Sequence, residues 1–121
     1  MADRIFEKVP GNHWNFKNVI KSKSTGEPVN CVTEELDSVM VIKRVDRRDA
    51  PIILKAFITW ENKEVGEGVY EFTPEETKNL SVGNYFYECY AFKDDGSYNK
   101  TINKGKLNIV HTLKKDIVPR T

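Results

Sequence analysis

The chain has 121 residues, of which 39% are hydrophobic and 11% aromatic, so it can bury the core of one domain and is not disordered throughout. Nineteen basic residues against eighteen acidic ones leave a net charge of +1. This balance excludes the strong positive field with which a protein attracts nucleic acid or an anionic membrane.

No targeting or membrane segment is visible in the sequence. The N-terminal stretch is charged and contains no apolar run of signal-peptide length. No segment approaches the roughly 20 apolar residues that a membrane-spanning helix needs. We therefore expect a product that is not secreted by a signal peptide, with no nucleic-acid or membrane partner.

The first half of the chain predicts short strands separated by turns. Residues 1–12 predict a flexible N-terminal arm or an edge strand (Arg4 to Lys8), and Trp14 and Phe16 then share one face of an alternating segment. Glycine and proline within 24–28 predict a turn. Further strands are predicted at 29–32, 39–43 and 52–60. The last of these has apolar residues on both faces, which indicates two-sided burial or a bulge.

The second half contains a capped helical turn between strands. Thr73-Pro74-Glu75-Glu76 matches a capping box with Thr73 as N-cap and Glu76 reaching back to it. Leu80 is expected to anchor this turn beneath the sheets. Asp94 to Ser97 predicts a hairpin turn. Strands are predicted before and after these turns at 69–72, 84–93, 98–103 and 107–112.

Together these elements predict an all-β fold. The regular spacing of short strands favours an immunoglobulin-like antiparallel β-sandwich of 7–8 strands, with one short helical turn near 74–80. We expect the sandwich domain to span 13–113, preceded by the arm 1–12 and followed by a C-terminal tail at 114–121.

The sequence contains none of the recognised catalytic motifs. It has no phosphate-binding glycine loop, nucleophile elbow or metal-binding histidine or cysteine pair. His13 and His111 would meet only if the first and last strands paired, and neither has an acid and a nucleophile beside it in sequence. Asp94-Asp95-Gly96 lacks the later ligands of a calcium loop. We therefore expect no enzyme activity, no cofactor and no metal.

The aromatic residues offer one candidate binding site. Tyrosine and tryptophan can stack against sugars or bases, although core packing explains most of those at alternating strand positions. Tyr90 and Tyr98 flank the 94–97 turn and are the first candidates for ligand-facing aromatics.

Several segments resemble the immunoglobulin-like domain at the N-terminus of phage baseplate upper proteins and related tail and head fibre proteins. The segments are 26–30, 68–80, 83–87 with its Gly-Asn-Tyr-Phe-Tyr motif, Gly96, and 105–109. The resemblance implies a non-enzymatic virion structural or assembly module, a tail, baseplate or fibre component. Its partners would be other virion proteins or further copies of itself, and it would lie in the host cytoplasm before assembly and then in the virion. The alternative is a carbohydrate- or receptor-binding β-sandwich module, with a glycan receptor as partner.

Tyr87-Glu88-Cys89 is also similar to the Tyr-x-Cys strand of an ordinary immunoglobulin domain, with Cys31 as the disulfide partner. The core tryptophan expected shortly after the first cysteine is absent, since Trp60 follows Cys31 by 29 residues. We therefore expect two free thiols, and a tyrosine-corner hydrogen bond made by Tyr87.

Overall fold

The computed structural model describes residues 4–110, which form eight strands and one α-helical turn. The elements in chain order are β1 (Arg4–Lys8), β2 (Trp14–Val19), β3 (Asp37–Lys43), β4 (Ile52–Phe57), β5 (Thr59–Asn62), a 3-10 turn (Lys63–Val65), β6 (Glu67–Phe72), α1 (Pro74–Thr77), β7 (Gly83–Phe92) and β8 (Asn99–Ile109). The predicted end of the domain at 113, the tail 114–121 and His111 lie outside the described residues.

Two sheets pack face to face, which confirms the predicted all-β, immunoglobulin-like sandwich. One sheet has five strands in the order β1-β8-β7-β3-β4, and the other has three in the order β2-β6-β5. The shared core takes large side chains from both sheets, among them Trp14, Phe72, Met40, Tyr85 and Leu107. One strand pair departs from the predicted antiparallel arrangement, since β1 runs parallel to β8.

The predicted capping box is present at α1. Thr73 Oγ1 accepts from the backbone N–H of Glu76, and the Glu76 side chain accepts from the backbone N–H of Thr73. The buried Thr77 then links this turn to the segment before β2, because its hydroxyl donates to the carbonyl oxygen of Asn12 at 2.8 Å and accepts from the N–H of Gly11 at 3.0 Å. Leu80 packs against the core as predicted.

The predicted strand at 52–60 is divided between the two sheets. β4 pairs with β3 in the five-stranded sheet, whereas β5 pairs with β6 in the three-stranded sheet. Ile58 lies at the crossing point, where its N–H donates to the carbonyl oxygen of Ser38 at 2.9 Å and its side chain is buried. The mixed apolar pattern therefore reflects a change of sheet. The predicted strand at 29–32 is wrong, since those residues form a turn after a single bridge between Lys21 and Pro28.

The tyrosine-corner hydrogen bond is made by Tyr85. Its hydroxyl donates to the carbonyl oxygen of Ser81, four residues upstream, at 2.9 Å. The guanidinium group of Arg44 lies 4.4 Å from the centre of the Tyr85 ring. Tyr87, which the sequence suggested for this role, lies two residues further along β7, where its ring packs on Phe6 at 5.3 Å.

A hydrogen-bonded chain of polar groups connects the two sheets through the core. The Tyr70 hydroxyl on β6 lies 2.6 Å from Ser38 Oγ on β3, and Ser38 Oγ donates to the carbonyl oxygen of Tyr90. Asn18 donates to the Tyr70 hydroxyl and accepts from Asn103 of β8. Within residues 4–110 no buried side-chain nitrogen or oxygen lacks a hydrogen-bond partner, so the network fixes the relative position of the sheets without leaving an unsatisfied side chain.

Cys31 and Cys89 are buried free thiols in separate hydrophobic clusters. Burial raises the pKa of both thiols, that of Cys89 to about 12, against the opposing hydrogen bond from Tyr70. Both thiols are therefore neutral in the native protein at physiological pH.

Alkaline pH should destabilise the protein through Cys89. An unfolded cysteine titrates near pH 8.5, so between about pH 9 and 12 the unfolded chain loses this proton before the folded chain does. Below that range the stabilising contribution is fully present. We expect the free energy of unfolding to fall by about 1–2 kcal/mol between pH 8 and pH 10, measured by urea denaturation. Cys89→Ala should reduce this loss; an unchanged loss in the variant would contradict the assignment.

Candidate functional site

The outward face of the five-stranded sheet carries polar, aromatic and basic side chains in register. Alternation along β7 directs Tyr85 and Tyr87 into the core and Phe86, Glu88 and Tyr90 outward. Pairing with β3 and β8 places their neighbours beside them. The outward rows are Lys43, Phe86 and Lys106; Val41, Glu88 and Lys104; and Val39, Tyr90 and Thr101.

A groove of about 710 Å3 lies on this face. Its floor is formed by lining residues of β7 between 86 and 90 and by Asn99 and Thr101 of β8, and its wall by the end of β3 with the loop that leads to β4, between 41 and 52. We call it the outer groove, and we call the cations Arg48, Lys104 and Lys106 its rim. Val41 lies beside Glu88 on the outward face of the sheet, yet it is only 4% exposed. The wall and the floor are therefore in close contact at this valine.

Lys43 holds the wall of the outer groove in place. Its ammonium group donates to the carbonyl oxygens of Arg47 at 3.3 Å and Arg48 at 3.0 Å. The loop is further closed by a hydrogen bond from the N–H of Ala50 to the Arg47 carbonyl oxygen at 3.1 Å, and Ala50 is buried. The position of Arg48 beside the groove therefore depends on a lysine that belongs to β3.

Glu88 is the centre of a hydrogen-bonded group on the floor. Its Oε1 accepts from the Tyr90 hydroxyl at 2.7 Å, and its Oε2 accepts from the Thr101 hydroxyl. Burial of the Tyr90 hydroxyl, its hydrogen bond to Glu88 and the charge of that carboxylate raise the pKa of Tyr90 to about 12, and the charge of Arg48 opposes this. Tyr90 therefore remains a protonated donor at any physiological pH.

The outer groove has an excess of positive charge, although the whole chain is nearly neutral. Two acidic residues line it, Asp46 and Glu88, against five basic ones. The basic residues are Lys43, Arg47, Arg48, Lys104 and Lys106. Both carboxylate oxygens of Glu88 already accept hydrogen bonds from side chains of the floor, and the cations beside them are suited to binding an anion.

The structure separates the two tyrosines that the sequence singled out. Tyr90 lines the outer groove, whereas Tyr98 lies beyond the 94–97 turn and does not line it. Sequence reasoning missed Glu88, Thr101 and Arg48. The outward alternation of β7 could have indicated Glu88, but Thr101 and Arg48 reach the site only through sheet pairing and loop closure.

A second exposed feature is the edge strand β4. Ile52, Ile53 and Phe57 are 52%, 40% and 55% exposed, and β4 pairs with β3 alone among the described strands. The Phe57 ring contacts Phe92 of β7 edge-on, with ring centres 6.1 Å apart. Lys55 provides the one charged side chain of this strand. Long apolar edges of this kind are association-prone because their backbone N–H and C=O groups lack partners.

No group of three or more side chains that could hold a metal ion occurs within residues 4–110. None of the helices in this part of the chain is long and apolar enough to cross a bilayer.

Comparison with known proteins leaves the family open. No protein-family model matches the chain, and no curated protein sequence matches it. Among solved structures, the NK cell receptor Nkp44, a triggering partner in natural cytotoxicity, is similar at 10% identity over 91% of this chain and 100% of that one, with a TM-score of 0.49. CopC from Methylosinus trichosporium OB3b is similar at 13% identity over 93% and 90%, with a TM-score of 0.47. Likenesses this remote carry no functional argument.

Proposed function

We propose that this chain is a non-enzymatic structural module that assembles with further copies of itself or with neighbouring proteins through β4. The observation that carries the proposal is the apolar, unpaired edge formed by Ile52, Ile53 and Phe57. An added strand would satisfy the free backbone groups of β4, and its side chains would cover the exposed isoleucine and phenylalanine.

The character of the uncovered part of β8 supports β4 as the contact within the five-stranded sheet. The uncovered part of β8, residues 99–104, carries Lys100 and Lys104 and a bulge opposite Cys89 and Tyr90. Lysines and bulges are the devices with which proteins prevent strand addition at an edge. β4 has its own irregularity near Lys43 but presents apolar side chains along most of its length.

Sedimentation velocity over a range of protein concentrations tests this proposal. We expect the wild type to associate, and the double variant Ile53→Lys, Phe57→Lys to remain monomeric because charge on the strand opposes edge pairing. Val32→Lys is the matched control, since Val32 is 53% exposed but lies in the turn before β3. Association that survives in the double variant would contradict a role for β4.

The resemblance to phage immunoglobulin-like domains supplies the proposed setting, a tail, baseplate or fibre component of a virion. Mass spectrometry of purified particles from an induced culture is expected to find the protein in stoichiometric amount. If the protein were found only among host proteins outside the particles, the proposed setting would be wrong. A monomeric wild type that is nevertheless incorporated into particles would identify a different virion protein as the partner of β4.

A further inference from the structure

We propose that the outer groove is a binding site for an anionic saccharide, whose hydroxyl groups contact Glu88 and Thr101 and whose acidic group pairs with the cations of the rim. Of the three residues that form the apolar edge of β4, Ile52 alone also lines this site, which does not depend on the assembly role. The proposal rests on the volume of the groove, its hydrogen-bonding floor and its unpaired cations.

The rim offers positive charge that the protein itself does not use. Within the described residues, Arg48, Lys104 and Lys106 make no hydrogen bond or ion pair through their side chains. Lys104 and Lys106 project from alternate positions of β8 on the same face as Phe86 and Glu88. A carboxylate or sulfate group entering from solvent would therefore find donors from two sides, the strand and the loop.

The floor can bind hydroxyl groups. A carboxylate has about four lone-pair sites, of which Glu88 uses two for Tyr90 and Thr101, so it can accept further hydrogen bonds from a ligand. The hydroxyl oxygen of Tyr90 can accept as well as donate. Phe86 supplies apolar surface beside these groups. A sugar ring, with hydroxyl groups on its rim and C–H groups on its faces, matches this alternation of polar and apolar contacts.

The geometry favours a saccharide over a peptide. β7, which provides Glu88 and Tyr90, is paired on both sides, by β3 and by β8, so an extended peptide cannot add to it as a strand. The volume of about 710 Å3 falls within the roughly 300–1,000 Å3 of small-ligand sites. An acidic mono- or oligosaccharide provides hydroxyl groups, ring faces and a negative charge in this volume.

Titration monitored by amide NMR signals tests the ligand class. The probes are a galacturonic acid trimer and sialyllactose, compared with neutral galactose oligomers, inorganic phosphate and a short polyglutamate peptide. We expect one of the acidic sugars to shift the signals of residues 86–90 and 101–106 and to bind at least about tenfold more tightly than any comparator. Equal binding of the neutral sugar would contradict the role of the cations. Equal binding of phosphate or polyglutamate would show a general anion site and overturn the saccharide assignment. Absence of binding by both acidic sugars would overturn it as well.

Variants of the rim and floor test the site itself. We expect the double variant Lys104→Gln, Lys106→Gln to weaken binding of the acidic sugar by about tenfold, and Tyr90→Phe by a smaller factor. Lys55→Gln is the matched control, because Lys55 lies on the same sheet face, opposite Val41, but outside the groove. An equal loss in the Lys55 variant would contradict a localised site. The β4 double variant should bind the sugar normally, which separates failure of this proposal from failure of the assembly role.

Discussion

Replacing Phe72 by alanine should lower the free energy of unfolding by about 3–5 kcal/mol, a large part of the 5–15 kcal/mol that stabilises a typical domain. Phe72 is fully buried on β6, and its ring centre lies 6.1 Å from those of Trp14 and Phe16 on the neighbouring strand. The substitution removes the apolar burial of the ring and leaves a cavity among aromatic side chains that cannot close over it. Equilibrium denaturation in urea gives the loss directly.

Phe57→Ala is the control for this prediction, since it makes the same chemical change on the outside of the molecule. Phe57 is 55% exposed and contacts Phe92 at the surface. We expect it to cost less than about 1 kcal/mol. Comparable losses in the two variants would contradict the placement of the core between β2, β6 and the five-stranded sheet.

Gly66→Ala should cost about 2–4 kcal/mol, for two reasons that add. Gly66 ends the 3-10 turn with φ of +66°, a conformation that alanine adopts at a cost. A Cβ atom there would also lie 2.9 Å from the carbonyl oxygens of Ile20 and Val29. Both contacts are backbone atoms of one segment, which cannot rotate away as a side chain would.

Gly26→Ala separates the two contributions. Gly26 has a similar φ of +73°, but a Cβ atom would meet no atom within 4 Å. We expect it to lose about 1–2 kcal/mol from the backbone conformation alone. Thermal or urea unfolding of both variants measures the difference. Equal losses would show that the segment around Ile20 and Val29 moves to accommodate the methyl group.

The segment that contains Ile20 and Val29 packs on the three-stranded sheet at Gly66, so a side chain at position 66 would displace it. The N–H of Ile20 donates to the carbonyl oxygen of Gly66 at 2.9 Å, and the N–H of Cys31 donates to that of Lys63 at 3.0 Å. Residues 29–32, for which the sequence predicted a strand, belong to this segment and are held by isolated hydrogen bonds. Displacement of its backbone would therefore weaken the burial of Cys31 and Ile20 as well.

Features that depend on neighbours a few residues apart were predictable from the sequence. The capping box of Thr73 and Glu76 needs contacts over three positions, and the alternation of β7 follows from the two-residue repeat of a strand. The same repeat placed Tyr90 on the face opposite Tyr85 and Tyr87, as the structure has it. Tyr98, which was chosen because it flanks the same turn, does not line the outer groove.

Features that depend on pairing between distant strands were not predictable in this way. The change of sheet at Ile58 requires the carbonyl oxygen of Ser38, and the parallel pairing of β1 requires β8, which lies about a hundred residues further along. Tyr85 makes a tyrosine-corner hydrogen bond because the Ser81 carbonyl oxygen lies within reach of its hydroxyl, a position that the strand repeat does not give.

The sequence by itself determined the capped turn, the class of fold and most strand positions, because these follow from local geometry and from the repeat of apolar side chains. It was wrong about the strand at 29–32 and about a break between 103 and 107, since 99–109 form the single strand β8. Only the tertiary structure decided which surfaces are available for binding. It assembled the outer groove from Glu88, Thr101 and Arg48, which three different segments supply, and it left β4 at the edge of its sheet. The physical reason is that hydrogen-bond pairing between strands acts across the sheet, so the neighbours of an outward side chain depend on which strands pair and in which register.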